Sequence, residues 1–198
     1  MPLNSDAATR PDASAHADEL AEIQLLRRIG EGELRAFDAL YRQYYPRLSR
    51  FLGRVTRRTP LVEEILNDTM MVVWRRAASF NGQSKVSTWI FAIAYRKALK
   101  ALKGLDEPVE DLADDRQEAA TPGPEQAADQ RQTFALLARA IGSLSVDHRA
   151  VVELTYFHGF GYREIAEILA CPIDTVKTRM FHAKRKLKGL LAYGLEDE

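Results

Sequence analysis

Apolar residues in this chain recur at spacings of three and four in two separate stretches, and no alternating pattern runs long enough for a strand. Such a chain has one way to bury its apolar surface, helix against helix. No internal repeat is present. Between the two stretches lies residues 104–130, with Pro108, Pro122, Gly123 and Pro124 and few aliphatics. That segment reads as an extended linker. The predicted fold class is therefore all-α, two small helical domains joined by a flexible acidic linker.

Charge divides the chain at the same places. The whole carries 28 basic and 28 acidic side chains, a formal net charge of zero, which on its face argues against a nucleic-acid binder. Counted by segment, the balance is hidden polarity. Residues 1–22 hold one basic and five acidic groups, net −4, and read as a disordered arm. Residues 23–103 hold sixteen and six, net +10. Residues 104–130 hold one and nine, net −8, and residues 131–198 hold ten and eight, net +2.

In the basic block, Leu34, Phe37, Leu40, Tyr41, Tyr44 and Leu48 form one predicted buried stripe. A second helix is predicted over 61–74, with Val62, Ile65, Leu66, Thr69 and Val73 inward and Glu63, Glu64, Asn67 and Asp68 as a polar edge. The turn-forming run Ser79-Phe80-Asn81-Gly82-Gln83-Ser84 breaks the pattern. A third helix follows, apolar at Trp89, Ile90, Ile93 and Ala94, with Arg96, Lys97, Lys100 and Lys103 crowding its second half. Those cations are either a solvated face that complements the helix dipole or a field that attracts phosphates. Trp74 and Trp89, flanked by aliphatics, are predicted core. Phe80, in a loop, is the better candidate to touch a ligand, since aromatics stack on unpaired bases.

The C-terminal block has the layout of a helix-turn-helix. Residues 162–169 form a short amphipathic helix, Ala170-Cys171-Pro172 interrupts it, and a second helix begins at Ile173. Ala166 is small where the two helices must cross, and Cys171 is predicted a buried thiol in the turn. At about 100° per residue, Ile173, Val176, Met180, Ala183, Leu187 and Leu190 share one side of that second helix. Lys177, Thr178, Phe181, His182, Arg185 and Lys188 fall on the other. Phe181 is the informative member, because an apolar group opposite the core stripe suits a thymine methyl better than water. Lys177 and Arg185 reach guanine edges or phosphates, and His182 can donate to either. Upstream, Ser145 is a predicted N-cap and places Arg149 in a first turn, where it would grip phosphate.

Several function classes drop out. One cysteine excludes an intramolecular disulfide and a cysteine-rich zinc site. His148 and His158 have no partner at ligand spacing. There is no nucleophile–base arrangement, no carboxylate pair in a plausible cleft and no phosphate-cradling glycine loop, so neither an enzyme nor a bound metal or cofactor is expected. No apolar run reaches the roughly 18–20 residues of a membrane span, and the N-terminus lacks a signal pattern. A soluble protein of the reducing cytoplasm is the expectation. A helix-turn-helix repressor or activator acting as an operator-bound dimer fits the C-terminal block equally well, but leaves the basic block unexplained.

Three pieces taken in order resemble the extracytoplasmic-function (ECF, group 4) sigma factors of the sigma-70 family. They are Leu61-Val-Glu-Glu-Ile-Leu-Asn-Asp-Thr-Met-Met-Val-Val-Trp74, Phe80-Asn-Gly-Gln-Ser-Lys-Val-Ser-Thr-Trp89, and residues 144–191 with Tyr-x-Glu-Ile-Ala, Cys-Pro-x-x-Thr-Val and Arg-x-x-x-Ala-Lys. The resemblance implies a subunit without catalysis that binds bacterial core RNA polymerase, at the largest subunit's clamp and the second-largest subunit's flap, and directs promoter-specific initiation. It implies a region 2 domain over 23–103 and a region 4 domain over 131–198. Glu64, Asn67 and Asp68 would contact the polymerase. Phe80, Asn81, Gly82, Gln83 and Ser84 would cradle an extruded −10 base, helped by Arg96, Lys97 and Lys100. Lys177, Thr178, Phe181, His182 and Arg185 would read the −35 element, with Arg149 and Lys184 on phosphates. An anti-sigma factor as negative regulator is implied as well. The acidic linker would thread the polymerase cleft as a polyanion mimic, or serve only as a soluble spacer. Two departures stand out: Tyr95-Arg96 where the family often has Arg-Asn, and Ala92 where it commonly has a basic residue.

Overall fold

The computed structural model describes residues 13–104 and 136–196, and every regular element among them is helical. In chain order these are α1 (Ala13–Gly30), α2 (Leu34–Thr56), α3 (Thr59–Arg76), a 3-10 turn at Ala77–Ser79, α4 (Val86–Lys103), α5 (Val146–Tyr156), α6 (Tyr162–Leu169) and α7 (Ile173–Glu196). A further helical stretch covers 136–142. The linker reading for residues 104–130 lies outside the described residues, Gly104 excepted.

Residues 13–22, expected to belong to a disordered arm, are instead the first part of α1, and residues 1–12 lie outside the described residues. The inward stripe of α1 is Glu22, Leu26 and Ile29, all buried. The first member is a carboxyl, so a reading of apolar spacing sees no stripe there. Gln43 donates to that carboxyl at 2.8 Å, and burial pushes its pKa up.

α2 is the spine of the basic block. Leu40, Tyr44, Leu48, Phe51, Leu52 and Val55 are buried along it. Leu34, predicted inward, is 69% exposed because it opens the first turn before the stripe engages. Pro46 sits inside this helix on its exposed side, where its missing N–H costs one rung of the ladder. α2 ends at Arg57, in the left-handed region at φ 56°, and its N–H returns to the Gly53 carbonyl. Pro60 starts α3 in the first turn, the position that tolerates it. Ile65, Leu66, Met70 and Val73 of α3 pack inward with Ile90, Ala94 and Ala98 of α4. Trp74 and Trp89 are half-buried against this core.

In the second block the Ser145 hydroxyl accepts from the His148 N–H, the N-cap predicted for α5. The tight turn between α6 and α7 is made by Ala170 at φ 50°, a left-handed conformation that usually falls to glycine. Cys171 follows, half-buried, with the Arg179 guanidinium 3.7 Å from its sulfur. Val176, Met180 and Ala183 form the inward side of α7, while Leu190 is 40% exposed, beyond the end of the packed surface.

The two blocks are packed against each other. Phe91 of α4 meets Phe160 and His158 at 5.0 Å between ring centroids, and Phe51 of α2 meets His158 at 5.7 Å. Polar ties ring this aromatic contact. Arg54 of α2 pairs with the fully buried Glu153 at 3.3 Å, and burial raises that carboxyl's pKa. Arg57 donates to the Gly142 carbonyl at 2.8 Å. Lys85, ahead of α4, pairs with Glu164 at 3.0 Å.

Candidate nucleic-acid interface

Three groups of predicted residues can be followed in space. Glu64, Asn67 and Asp68 are all exposed on α3, as positions that the inward stripe Ile65-Leu66-Thr69 leaves outside. Beside them on α2 runs an aromatic column: Phe37, Tyr41 and Tyr45, with successive ring centroids 6.2 and 5.8 Å apart. The Tyr41 hydroxyl donates to Asn67 Oδ1 at 3.1 Å, and Tyr45 donates to Glu63 at 3.4 Å. Tyr45 is 39% exposed and Met71, one turn past Asn67, is 48% exposed. Sequence reasoning missed Tyr45 and Met71. The signal was there, because Met71 sits four residues after Asn67 and so on the same face.

The loop 80–84 is ordered by its own polar groups. Asn81 Oδ1 accepts from the Gln83 N–H at 3.1 Å, the geometry of an Asx turn, and Gly82 takes φ +70°. Asn81, Gly82 and Gln83 are exposed. Phe80 is half-buried, its ring centroid 5.4 Å from that of Trp89 and the two rings tilted by 55°. Arg96 and Lys100 are exposed on α4. Lys97 instead turns to α3, where its ammonium donates to Asp68 Oδ2 at 2.8 Å. That ion pair joins a residue assigned to DNA with one assigned to the polymerase.

α7 presents the face that its spacing predicts. Lys177, Thr178, Phe181, His182, Lys184 and Arg185 are all exposed, and Phe181 is 61% so. The Arg185 guanidinium lies 5.8 Å from the Phe181 ring centroid, and the His182 ring lies 5.5 Å from it. His182 also approaches His148 of α5 at 6.4 Å. Burial, and then the neighbouring His182, hold His148 below the ordinary histidine pKa. A neutral ring there can donate from one nitrogen and accept at the other. Lys184 sits 5.9 Å from the Tyr156 ring, and a hydrogen bond with that hydroxyl raises its pKa.

Arg149 must be corrected. It is 7% exposed and faces away from solvent. Its guanidinium donates to the carbonyls of Leu144 at 2.7 Å, Gly142 at 2.9 Å, Val55 at 3.1 Å and Arg54 at 3.3 Å. Two of these acceptors belong to α2, so Arg149 stitches the blocks together and does not meet a phosphate in this arrangement. A first-turn position is compatible with either role, and only the packing of α5 onto α2 separates them.

Among the described residues no group of three or more His, Cys, Asp or Glu side chains is arranged to hold a metal ion. No helix among them is long and apolar enough to cross a membrane.

The chain matches known proteins along most of its length. Residues 40–107 match the family described as Sigma-70 region 2, and residues 134–187 match Sigma-70, region 4. The chain is 30% identical over 173 residues to the ECF RNA polymerase sigma factor SigK of Mycobacterium sp. (strain JLS), covering 84% of this chain and 89% of that one. It is 27% identical over 184 residues to the ECF RNA polymerase sigma-E factor of Haemophilus influenzae, covering 87% and 96%. A solved structure of the sigma factor RpoE in complex with the anti-sigma factor NepR, from Bartonella quintana, has the same fold, with a TM-score of 0.65 at 22% identity over 80% of this chain and 98% of that one. With both sigma regions in order, and a relative at this identity along most of its length, the chain belongs to the ECF sigma factors of the sigma-70 family.

Proposed function

We propose that the chain confers promoter specificity on bacterial core RNA polymerase through three separate surfaces, with no catalytic step of its own. The observation that carries this is the exposed face of α7, where Phe181 stands in solvent amid Lys177, His182 and Arg185, opposite the buried Val176, Met180 and Ala183. Exposing an aromatic ring has a cost in water that a base-reading role offsets. This face would read the −35 element, with Lys184 on a phosphate. Phe80, Asn81, Gly82, Gln83 and Ser84 would receive a −10 base, with Arg96 and Lys100 on the strand. Glu64, Asn67 and Asp68, together with Tyr45 and Met71, would meet the largest subunit's clamp, and the region 4 domain would meet the second-largest subunit's flap.

The packed arrangement cannot be the promoter-bound one. Elements centred 25 base pairs apart are separated by about 85 Å of duplex, whereas a folded chain of this length has a diameter of about 40 Å. Residues 105–135 would reach about 100 Å if extended. The region 2 domain (23–103) and region 4 domain (131–198) would therefore part when both DNA elements are engaged. A relative of the same fold is described in complex with an anti-sigma factor. A partner of that kind for this chain would cover the polymerase-binding face, and the site of action would be the cytoplasm, where the polymerase works.

The test is gel filtration and promoter binding with purified core polymerase. The chain should co-elute with core, and the reconstituted holoenzyme should protect a promoter fragment that the free chain does not. Tight binding of a palindromic operator by a dimer of the free chain, without co-elution, would favour a conventional helix-turn-helix repressor instead.

A further inference from the structure

Where the two blocks meet, a pocket of about 150 Å³ opens to solvent, lined by Pro46, Arg47 and Arg50 of α2 and by Phe157 and His158 from the turn after α5. It has about ten times the ~15 Å³ that one water needs. Arg47, Arg50 and Arg54 stand at i, i+3 and i+7 and so share one face of α2. Arg54 is answered: it pairs with Glu153, and its guanidinium lies 4.2 Å from the Phe157 ring centroid. Among the described residues, no carboxylate lies at ion-pair distance from Arg47 or Arg50.

Arg47 is held in place by rings, its guanidinium 5.2 Å from the Tyr44 centroid and 5.4 Å from that of Phe91. Glu22 feels the charge of Arg47, but its carboxyl is engaged by Gln43. Across the pocket, His158 is fixed edge-on between Phe51 and Phe91. Its Nε2 is buried without a hydrogen-bond partner. The pocket thus sets two guanidinium groups on one wall, neither at ion-pair distance from a carboxylate, which suits an anion. Guanidinium forks match a phosphate oxygen pair, and a tetrahedral group can meet two forks at once, which a flat carboxylate does less well.

We propose that this pocket binds a phosphate group, either free phosphate or the phosphate of a nucleotide, and that the occupant clasps α2 to the turn after α5. A ligand that binds only the packed form stabilises that form by mass action. In a sigma factor it would therefore oppose the parting of the domains. That consequence rests on the function proposed above, whereas the binding itself does not.

The test is isothermal titration of the full chain with inorganic phosphate, a nucleoside monophosphate and, as comparison, chloride and acetate at matched ionic strength. Saturable binding of the phosphates is expected, at least tenfold weaker in Arg50→Gln and unchanged in Arg27→Gln, an exposed cation of α1. Tighter binding of the nucleotide marks it as the source, and equal binding marks the free ion. A response no greater than that of chloride, a response matched by acetate, or one unchanged in Arg50→Gln overturns the proposal. A readout on the unmodified chain guards against a variant that fails to fold. Saturating phosphate should move the NMR titration of the His158 ring to higher pH, and a titration that stays put contradicts the site. Loss of phosphate binding would leave co-elution with core polymerase untouched, so the two readings fail separately.

Discussion

The hydroxyl of Tyr95, in α4, donates to the carboxylate of Asp147, in α5, at 2.6 Å. This hydrogen bond crosses between the two blocks, and the same carboxylate accepts from Arg179 of α7. Asp147 thus links α7 to the basic block through two contacts. Tyr95 is 2% exposed, and burial followed by this hydrogen bond pushes its pKa up. The departure Tyr95-Arg96 from the family's usual pair acquires a physical role here. The first of the two residues is spent on domain packing and the second is left exposed.

Tyr95→Phe should destabilise the chain by about 1 kcal/mol, because Asp147 keeps Arg179 and reaches water. Asp147→Ala should cost about 2–3 kcal/mol, since it leaves a buried hydroxyl and a guanidinium without their acceptor. Urea unfolding of both variants checks the order.

Arg149→Ala should cost about 3 kcal/mol, as four carbonyls lose a charged donor. Arg149→Lys should recover only part of it, because an ammonium cannot fork to acceptors on two helices. Limited proteolysis should cut both variants faster than the parent. A variant of unchanged stability that only loses affinity for DNA would restore the phosphate role read from the sequence.

Much of the fold was legible because its helices follow apolar spacing. The helices of 61–74 and after Ile173 emerge within a turn or two of their observed starts, and the outward face of α7 comes out residue by residue. α1 was not legible, since a carboxyl, Glu22, occupies an inward position and is accommodated there by Gln43 and Arg47 of α2. Arg149 was misplaced for a related reason. Helical periodicity tells which side of a helix is inward but not which neighbour covers it, and the contact of α5 with α2 spans about 95 residues of sequence. Tyr45 and Met71 were overlooked because an exposed apolar residue at the edge of a core stripe resembles the stripe's own margin.

Acid should loosen the packing of the blocks. Burial, and then Arg47, Arg50 and Arg54, hold His158 down to about 4, against an ordinary value near 6.5. The packed state therefore binds fewer protons than the opened or unfolded state between those values. The contribution is complete above pH 6.5, falls as pH drops through the window, and is gone by about pH 4. Glu22 and Glu153 have raised pKa values and act with the opposite sign just above pH 4.5. Comparing the pH dependence of the melting temperature with that of His158→Phe isolates the histidine, and identical slopes between pH 4 and 6.5 would contradict its role.

Phe181→Ala should leave stability within about 0.5 kcal/mol, as the ring is 61% exposed. It should weaken binding of the holoenzyme to a matched promoter by about tenfold, the cost of one good base contact. Fluorescence anisotropy on labelled −35 duplexes, with one thymine replaced by uracil in a parallel series, identifies the methyl that the ring touches. An equal loss on every sequence would mean that Phe181 reads no base.

The most direct measurement is run-off transcription with purified core RNA polymerase and a panel of promoters, with the chain present or omitted and with Asp68→Lys alongside. Asp68 is exposed and bound only to Lys97 across α3 and α4, so the variant should fold normally. The account predicts discrete transcripts that require the chain and fall at least tenfold with Asp68→Lys, together with loss of co-elution with core. Initiation undiminished by that substitution would remove the polymerase contact from α3. Absence of both initiation and co-elution for the unaltered chain would contradict its assignment as a promoter-specificity subunit.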